Sequence, residues 1–199
     1  FDTSKELSRN ENRRIARGMR RQIRRRARRR RKLKEALVSA GLWPGDADTE
    51  SELYLLDPYE LRARALRERV EPFEIGRALL HLNQRRGFLS NRKKDRGDKE
   101  VQGMLAEINE LANELETNGR QTLGEHFAAI REQSPLEQIR NRHTQRSMFE
   151  DEFELIWERQ AEHHPNLLTD RLKYGELGKQ KYPAKPIPRH DPRRKGLSP

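Results

Sequence analysis

The fold of this 199-residue chain is decided by residues 9–41, which read RNENRRIARGMRRQIRRRARRRRKLKEALVSAG. Arginine and alanine are good helix formers, no proline interrupts the stretch, and Gly41 suits the position that follows a helix. Ser8 and Glu11 have the spacing of a capping box at a helix start. The sequence therefore predicts one long helix over residues 9–40 that begins at this box and ends at Gly41.

The net charge of +11 is concentrated in the same stretch. Residues 1–34 carry sixteen Lys and Arg against three acidic side chains, whereas residues 35–199 hold 27 basic and 29 acidic ones. Arginines three or four positions apart repel each other along a helix, so the unbound helix needs counter-charges. Carboxylates could supply them, but we favour phosphate, to which the planar guanidinium donates two parallel hydrogen bonds.

Apolar residues in the basic stretch are few but regularly placed. Ile15, Met19, Ile23 and Ala27 recur every four positions, which gives one narrow stripe rather than a broad core-facing surface. A disordered basic tail or a nuclear-localisation signal would need no such spacing. No aromatic residue occurs over residues 9–34. Contact with phosphates is therefore favoured over stacking on bases.

The rest of the chain has a helical composition. Only eleven residues are Val or Ile, and these favour strands, so we predict an all-α fold with little or no β-structure. A small irregular multi-helix body is expected to follow the Arg-rich helix. No apolar run reaches the ~18 residues of a membrane span. The absence of cysteine excludes disulfides and cysteine-ligated zinc and, with no apolar secretory signal, favours an intracellular protein.

Two helix starts follow each other in the body. Residues 57–60, DPYE, place Asp at the cap, Pro at the first helical position and Glu as the capping-box partner. We expect this helix to run to about Val70. Glu71 and Pro72 begin a second helix, which Gly87 ends in the left-handed conformation. The two helices would form a hairpin.

Further helices are predicted downstream. The clearest covers residues 101–115, where apolar residues keep a 3.6-residue period until Gly119. Three more Ser/Thr and Glu pairs have capping-box spacing: Thr122 with Glu125, Ser134 with Glu137, and Ser147 with Glu150. We divide the chain into the Arg-rich helix (1–41), a linker (42–56), a helical body (57–177) and a Pro- and Lys/Arg-rich linker or tail (178–199).

No catalytic or metal site is predicted from the sequence. The six histidines form no H-E-x-x-H motif, and neither a glycine-rich phosphate loop nor a nucleophile elbow is present. The pattern is that of a binding protein.

Four stretches, in this order, resemble the CRISPR type II RNA-guided DNA endonuclease family, in its bridge helix and part of its recognition lobe. They are the Arg-rich helix (13–34), DPYELRARAL (57–66), RALLHLNQRRGFLSNRK (77–93) and RHTQRSMFEDEFELIWERQ (142–160). In that family guide pairing reads the target sequence and the protein contacts the backbone, which is a known family property rather than a deduction from this chain.

The resemblance implies two groups of RNA-binding residues. One group would hold phosphates of the guide RNA, especially its seed: Arg13, Arg14, Arg17, Arg20, Arg21, Arg24, Arg25, Arg28 and Arg29. The other would face the repeat:anti-repeat duplex or the guide:target heteroduplex: Arg85, Arg86, Ser90, Asn91, Arg92, Lys93, Arg142, His143 and Arg146. The RuvC-like and HNH nuclease domains, with their Mg²⁺, would lie outside this segment. The resemblance therefore implies no catalytic residue, cofactor or metal in this chain.

The implied partners are a guide RNA (crRNA:tracrRNA or a single guide), target DNA and an anti-CRISPR inhibitor protein, in the prokaryotic cytoplasm and without a membrane. Two other functions stay open on the residues alone. One is a protein-interaction module whose acidic partner covers the Arg-rich helix. The other is a ribosomal or nucleolar RNA-binding protein.

Overall fold

The computed structural model describes residues 9–85, 87–88, 99–137, 139 and 142–175. Within these ranges the chain forms eight helices and no strand: α1 (Arg9–Ser39), α2 (Ala47–Leu55), α3 (Pro58–Arg64), α4 (Pro72–Gln84), α5 (Lys99–Thr117), α6 (Leu123–Gln133), α7 (Arg146–His163) and α8 (Asp170–Tyr174). The all-α prediction is confirmed. None of these helices is long and apolar enough to cross a membrane. The cap predicted at Ser8 and the tail predicted over 178–199 lie outside the described residues.

Helix α1 agrees with the long helix that the sequence predicts. It has 31 residues, a length of about 46 Å at ~1.5 Å per residue, and Gly41 follows it with φ of +70°. Its C-terminal end is packed, since Leu37 is fully buried. The apolar stripe of Ile15, Met19 and Ile23 is 47%, 59% and 61% exposed. The body therefore anchors α1 by its last turns and leaves the arginine-bearing part in solvent.

Residues 42–56, predicted as a linker, instead form part of the helical body. Trp43 is buried, and Asp46 caps the start of α2, where its side chain accepts a hydrogen bond from the backbone N–H of Thr49. Glu50 of α2 accepts a hydrogen bond from the Trp43 indole (3.4 Å) and forms an ion pair with Lys34 of α1. The first turn of α2 thus ties the end of α1 to the body.

Helix α4 passes so close to the end of α1 that only glycine fits at position 76. A Cβ atom on Gly76 would lie 1.8 Å from the carbonyl oxygen of Leu42. Leu42 itself is fully buried directly after α1. This backbone contact sets the direction in which α1 leaves the body.

Helix α3 ends at Arg64, earlier than the predicted end near Val70, because a side chain takes over the hydrogen bonds of the next residues. The buried carboxamide of Gln160 donates to the carbonyl oxygens of Ala65 (2.6 Å) and Glu68 (2.8 Å). Its oxygen accepts from the backbone N–H of Val70 (3.2 Å). Buried backbone groups need partners, and here α7 supplies them in place of another helical turn.

The remaining helix predictions differ in detail. Thr122 caps α6 as predicted, accepting from the backbone N–H of Glu125 (3.3 Å). Ser134 is the C-cap of α6, and residues 134–137 form a turn rather than the start of an α-helix, while Ile139 beyond them lies in a 3₁₀ conformation. Helix α7 begins at Arg146 and its N-cap is Gln145, so the predicted cap at Ser147 lies inside the helix.

One ion pair lies at the centre of the helical body. Arg62 of α3 and Glu152 of α7 are both fully buried, and Arg62 donates from Nε to Oε1 (2.6 Å) and from Nη2 to Oε2 (2.5 Å). Glu152 also accepts from the backbone N–H of Gly124 in α6 (3.2 Å). Arg62 Nη1 lies 3.2 Å from Nδ1 of His81 in α4. Four helices therefore meet at one pair of opposite charges.

An uncharged histidine and two aromatic rings surround the Arg62 guanidinium. Burial, and then the charge of Arg62, lowers the pKa of His81 to about 2. At neutral pH the imidazole is therefore uncharged, and its Nδ1 can accept the hydrogen bond from Arg62. The guanidinium also lies over the rings of Tyr59 (5.3 Å) and Phe149 (5.8 Å).

We expect Gly76→Ala to lower the free energy of unfolding by about 3 kcal/mol, because the new methyl group overlaps the Leu42 carbonyl. Urea unfolding followed by circular dichroism measures the change. Gly103→Ala in α5 is the control, since a Cβ there meets nothing within 4 Å, and it should stabilise the helix slightly. Equal effects of the two substitutions would contradict the close contact.

We expect Glu152→Leu to destabilise the chain by about 3–5 kcal/mol, because it leaves the Arg62 guanidinium buried without a counter-charge. The double variant Arg62→Met, Glu152→Leu should recover most of that loss, since the uncompensated charge is removed as well. The same urea titration compares the two variants. A double variant less stable than Glu152→Leu alone would show that the loss does not come from a buried unpaired charge.

Candidate nucleic-acid interface

Nine arginines of α1 form a positive surface to which no described ion pair supplies a counter-charge. All nine of the α1 arginines predicted to bind phosphate, which lie over residues 13–29, are exposed. Among the described residues, the ion pairs of α1 involve Arg31 with Glu35 (3.5 Å) and Lys34 with Glu50, beyond those nine positions. The nine guanidinium groups repel each other along about 24 Å of helix. An anionic partner would remove that repulsion.

Two stretches that were predicted separately as RNA-binding are joined through their backbones. The Phe88 N–H donates to the carbonyl of Thr144 (2.6 Å), and the Arg146 N–H donates to the carbonyl of Phe88 (3.0 Å). This is an isolated parallel bridge between Phe88 and Gln145. The turn after α4 and the start of α7 therefore form one unit, which we call the 88/145 bridge.

Gly87 allows the 88/145 bridge to form. Its φ of +65° lies in the left-handed region, where glycine is favoured. A Cβ atom at this position would lie 2.5 Å from the backbone carbonyl carbon of Gln145 and 2.7 Å from the backbone nitrogen of Arg146. Both the backbone angle and the close approach require glycine here.

A cleft of about 710 Å³ lies between α1 and the end of α4. Residues of both elements line it: Ile23, Arg26, Ala27, Arg29, Arg30, Asn83, Gln84, Arg85 and Gly87. This described lining includes four guanidinium groups and no carboxylate. Arg30 is held in place by Tyr54, to whose hydroxyl it donates a hydrogen bond (2.8 Å) and over whose ring it lies (5.6 Å). The cleft therefore lies between two elements and is lined by arginines, of which Arg30 is held by Tyr54.

Arg142 and His143 are engaged with carboxylates of the protein. Arg142 donates to Glu114 (2.7 Å) and to Glu137 (2.8 Å). Burial acts to lower the pKa of Arg142, but the hydrogen bonds to these two carboxylates outweigh it and the pKa is raised. His143 Nε2 lies 3.7 Å from the Glu107 carboxylate. Both residues hold the segment before α7 against its neighbours, which differs from the unpaired arginines of α1.

The remaining predicted residues fall into two groups. Arg85 lines the cleft, and Arg146 begins α7 at the 88/145 bridge. Five predicted residues lie outside the described part of the chain: Arg86, Ser90, Asn91, Arg92 and Lys93.

Sequence reasoning did not single out three residues that line the cleft, Arg26, Arg30 and Asn83, and it included Gln84 only as part of the stretch 84–93 that was expected to face RNA. Helical phase carried a signal for the first two, because they lie one turn apart on the side of α1 that also bears Ile23 and Ala27. No sequence signal placed the two carboxamides in a cleft with α1, since that position depends on how α4 lies beside α1.

No protein-family model matches the chain. Its sequence is 31% identical over 118 residues to the CRISPR-associated endonuclease Cas9 of Campylobacter jejuni, a match that covers 54% of this chain and 12% of that relative. Its fold is similar to that of St1Cas9 in the St1Cas9–sgRNA–tDNA20–AcrIIA6 dimeric assembly, with a TM-score of 0.60 and 26% identity over 81% of this chain and 19% of that one.

A second solved structure, Campylobacter jejuni Cas9 in complex with sgRNA and target DNA, has a TM-score of 0.57 and 25% identity over 76% of this chain and 22% of that one. The chain thus spans less than a quarter of the length of each of these relatives. The sequence match and the fold matches lead to the same family, and the fold matches cover most of the chain. Sequence and fold comparisons thus agree that this chain is similar to a segment of Cas9, a CRISPR-associated endonuclease.

Proposed function

We propose that this chain holds the guide RNA, and the backbone of the guide:target heteroduplex, within an RNA-guided DNA endonuclease. The observation that carries the proposal is the row of exposed, unpaired arginines on α1, which continues into the positive cleft beside Arg85. Support also comes from the solved Campylobacter jejuni Cas9, which is in complex with sgRNA and target DNA.

The chemistry of α1 suits a phosphate backbone. Each guanidinium can donate two parallel hydrogen bonds to one phosphate and stays charged at every physiological pH. Each like-charged pair one turn apart costs the free helix about 0.2–0.5 kcal/mol, which phosphate binding would relieve. In this proposal α1 holds the seed phosphates of the guide and orders them for pairing with the target.

The 88/145 bridge supplies the second contact. Backbone hydrogen bonds and Gly87 fix it, so Phe88, Thr144 and Arg146 are held in one arrangement. We assign it to the repeat:anti-repeat duplex, which proteins recognise by backbone shape and 2′-hydroxyls. DNA cleavage, with its Mg²⁺, is assigned to the RuvC-like and HNH domains of the family. The proposed site of action is the prokaryotic cytoplasm.

A second candidate function is the binding of an acidic inhibitor protein to α1. The observation that favours it is the exposed stripe of Ile15, Met19 and Ile23, since apolar side chains gain nothing from phosphates but do gain from a protein surface. The St1Cas9 assembly includes AcrIIA6. An acidic protein that binds α1 should be displaced by a single-guide RNA in a competition assay, and simultaneous binding of both would exclude a shared surface.

We expect charge reversal of Arg20, Arg24 and Arg28 to glutamate to abolish single-guide RNA binding at physiological salt. At low salt, any remaining affinity should depend on salt with a log–log slope reduced by about 2–3, because each phosphate contact contributes 0.7–0.9 to that slope. Fluorescence anisotropy over a salt series measures both quantities. The helix should persist, since glutamates next to arginines stabilise it.

The matched control reverses three exposed arginines of the body, Arg67, Arg69 and Arg159. This control changes the net charge equally but leaves α1 intact, so it should retain most of the affinity and the salt slope. Full binding by the α1 variant, or equal losses in both variants, would contradict the assignment of α1 as the phosphate-binding element.

We expect Gly87→Ala to open the 88/145 bridge and to weaken binding of the same RNA. The new Cβ meets the Gln145 backbone, a strain of about 1–3 kcal/mol, so the amides of Phe88 and Arg146 should exchange with solvent about tenfold faster. Gly119→Ala is the control, because Gly119 has a similar φ of +61° but open space around its Cβ position. Unchanged exchange at Phe88 in Gly87→Ala would contradict the role of the glycine.

A further inference from the structure

We propose that the cleft between α1 and the end of α4 takes one unpaired nucleotide of the bound RNA, and that Asn83 and Gln84 read the edge of its base. The inference rests on the proposed function, because it requires that α1 binds RNA. It adds a base-specific site to a chain whose other contacts are with the backbone.

Two carboxamide side chains line the cleft on its α4 side. Asn83 and Gln84 lie at the C-terminal end of α4 and line the cleft. No side-chain hydrogen bond joins either of them to another residue in the described part of the chain. A phosphate accepts hydrogen bonds and donates none, so a site for phosphate alone needs only donors. A carboxamide offers both a donor and an acceptor, which matches the edge of a base.

The opposite wall of the cleft, which α1 forms, is partly apolar and partly charged. Ile23 and Ala27 lie one turn apart on α1 and give this wall an apolar surface. Arg26, Arg29 and Arg30 stand beside them on the same helix. An apolar patch flanked by three guanidinium groups fits a nucleotide, whose base has an apolar face and whose phosphate is charged.

The size and shape of the cleft agree with this ligand. Its volume of about 710 Å³ is in the range of small-molecule sites. Gly87 places no side chain at its rim. A paired base in an A-form helix hides its edges in a deep, narrow major groove, whereas a base in a bulge or loop can be splayed out and read. The ligand is therefore an unpaired nucleotide rather than a base pair.

The test uses one RNA duplex of 20 base pairs and four versions that carry a single central unpaired A, C, G or U. Anisotropy measures the affinity of the chain for each at one salt concentration. We expect the best bulged duplex to bind about tenfold more tightly than the paired duplex. The double variant Asn83→Ala, Gln84→Ala should lose that tenfold preference while it binds the paired duplex as the wild type does.

Two controls make the outcomes distinct. Gln133→Ala removes an exposed carboxamide from the end of α6 and should leave the preference intact. The single variant Gln84→Ala, at an exposed position, provides a milder change that should reduce the preference without disturbing the fold. Equal binding of bulged and paired duplexes by the wild type would overturn the nucleotide site while leaving the proposed RNA binding in place. Failure of the wild type to bind any of the five duplexes at low salt would overturn both.

Discussion

The buried pair of Arg62 and Glu152 is the interaction on which the helical body depends. Burying two charges is costly unless each is fully hydrogen-bonded, and here the carboxylate accepts from the guanidinium and from the Gly124 backbone, while the guanidinium also meets His81. The groups come from α3, α4, α6 and α7. A body of this size has a modest apolar core, so a pair that fixes four helices in one register supplies the specificity that apolar packing alone would leave open.

A rigid body matters because the contacts that hold α1 within the described part of the chain lie at its C-terminal end. The Gly76–Leu42 contact and the Lys34–Glu50 pair fix the last turns, and the arginines over 13–29 extend from that anchor into solvent. A free helix with this charge density would be weakened by repulsion. Anchoring lowers the entropic cost of presenting the helix to a partner, because its direction is set before binding. The cleft beside Arg85 exists for the same reason, since its two walls belong to elements held by the same anchor.

Local sequence patterns were enough to predict helices whose backbone hydrogen bonds and caps come from nearby residues. They failed where a side chain from a distant element supplies those hydrogen bonds. The arginine helix, its end before Gly41, and the helix after Thr122 follow from propensity and capping alone. The early end of α3 depends on Gln160, a residue about 95 positions from Ala65 in the chain. The carboxamides of the cleft could not be assigned for the same reason. Their partners are set by tertiary packing, which a local pattern does not encode.

Positive charge remains on α1 because carboxylates of the helical body form ion pairs with arginines of the body itself. Glu152 forms an ion pair with Arg62, Arg142 pairs with both Glu114 and Glu137, and Asp57 pairs with Arg131. A carboxylate that is engaged inside the body cannot neutralise an arginine of α1. The near-neutral body therefore leaves the positive charge of the arginines over residues 13–29 of α1 without a counter-charge. Among the described residues, unpaired positive charge is therefore concentrated over α1 and the cleft, and a polyanion approaching the protein is attracted to that surface.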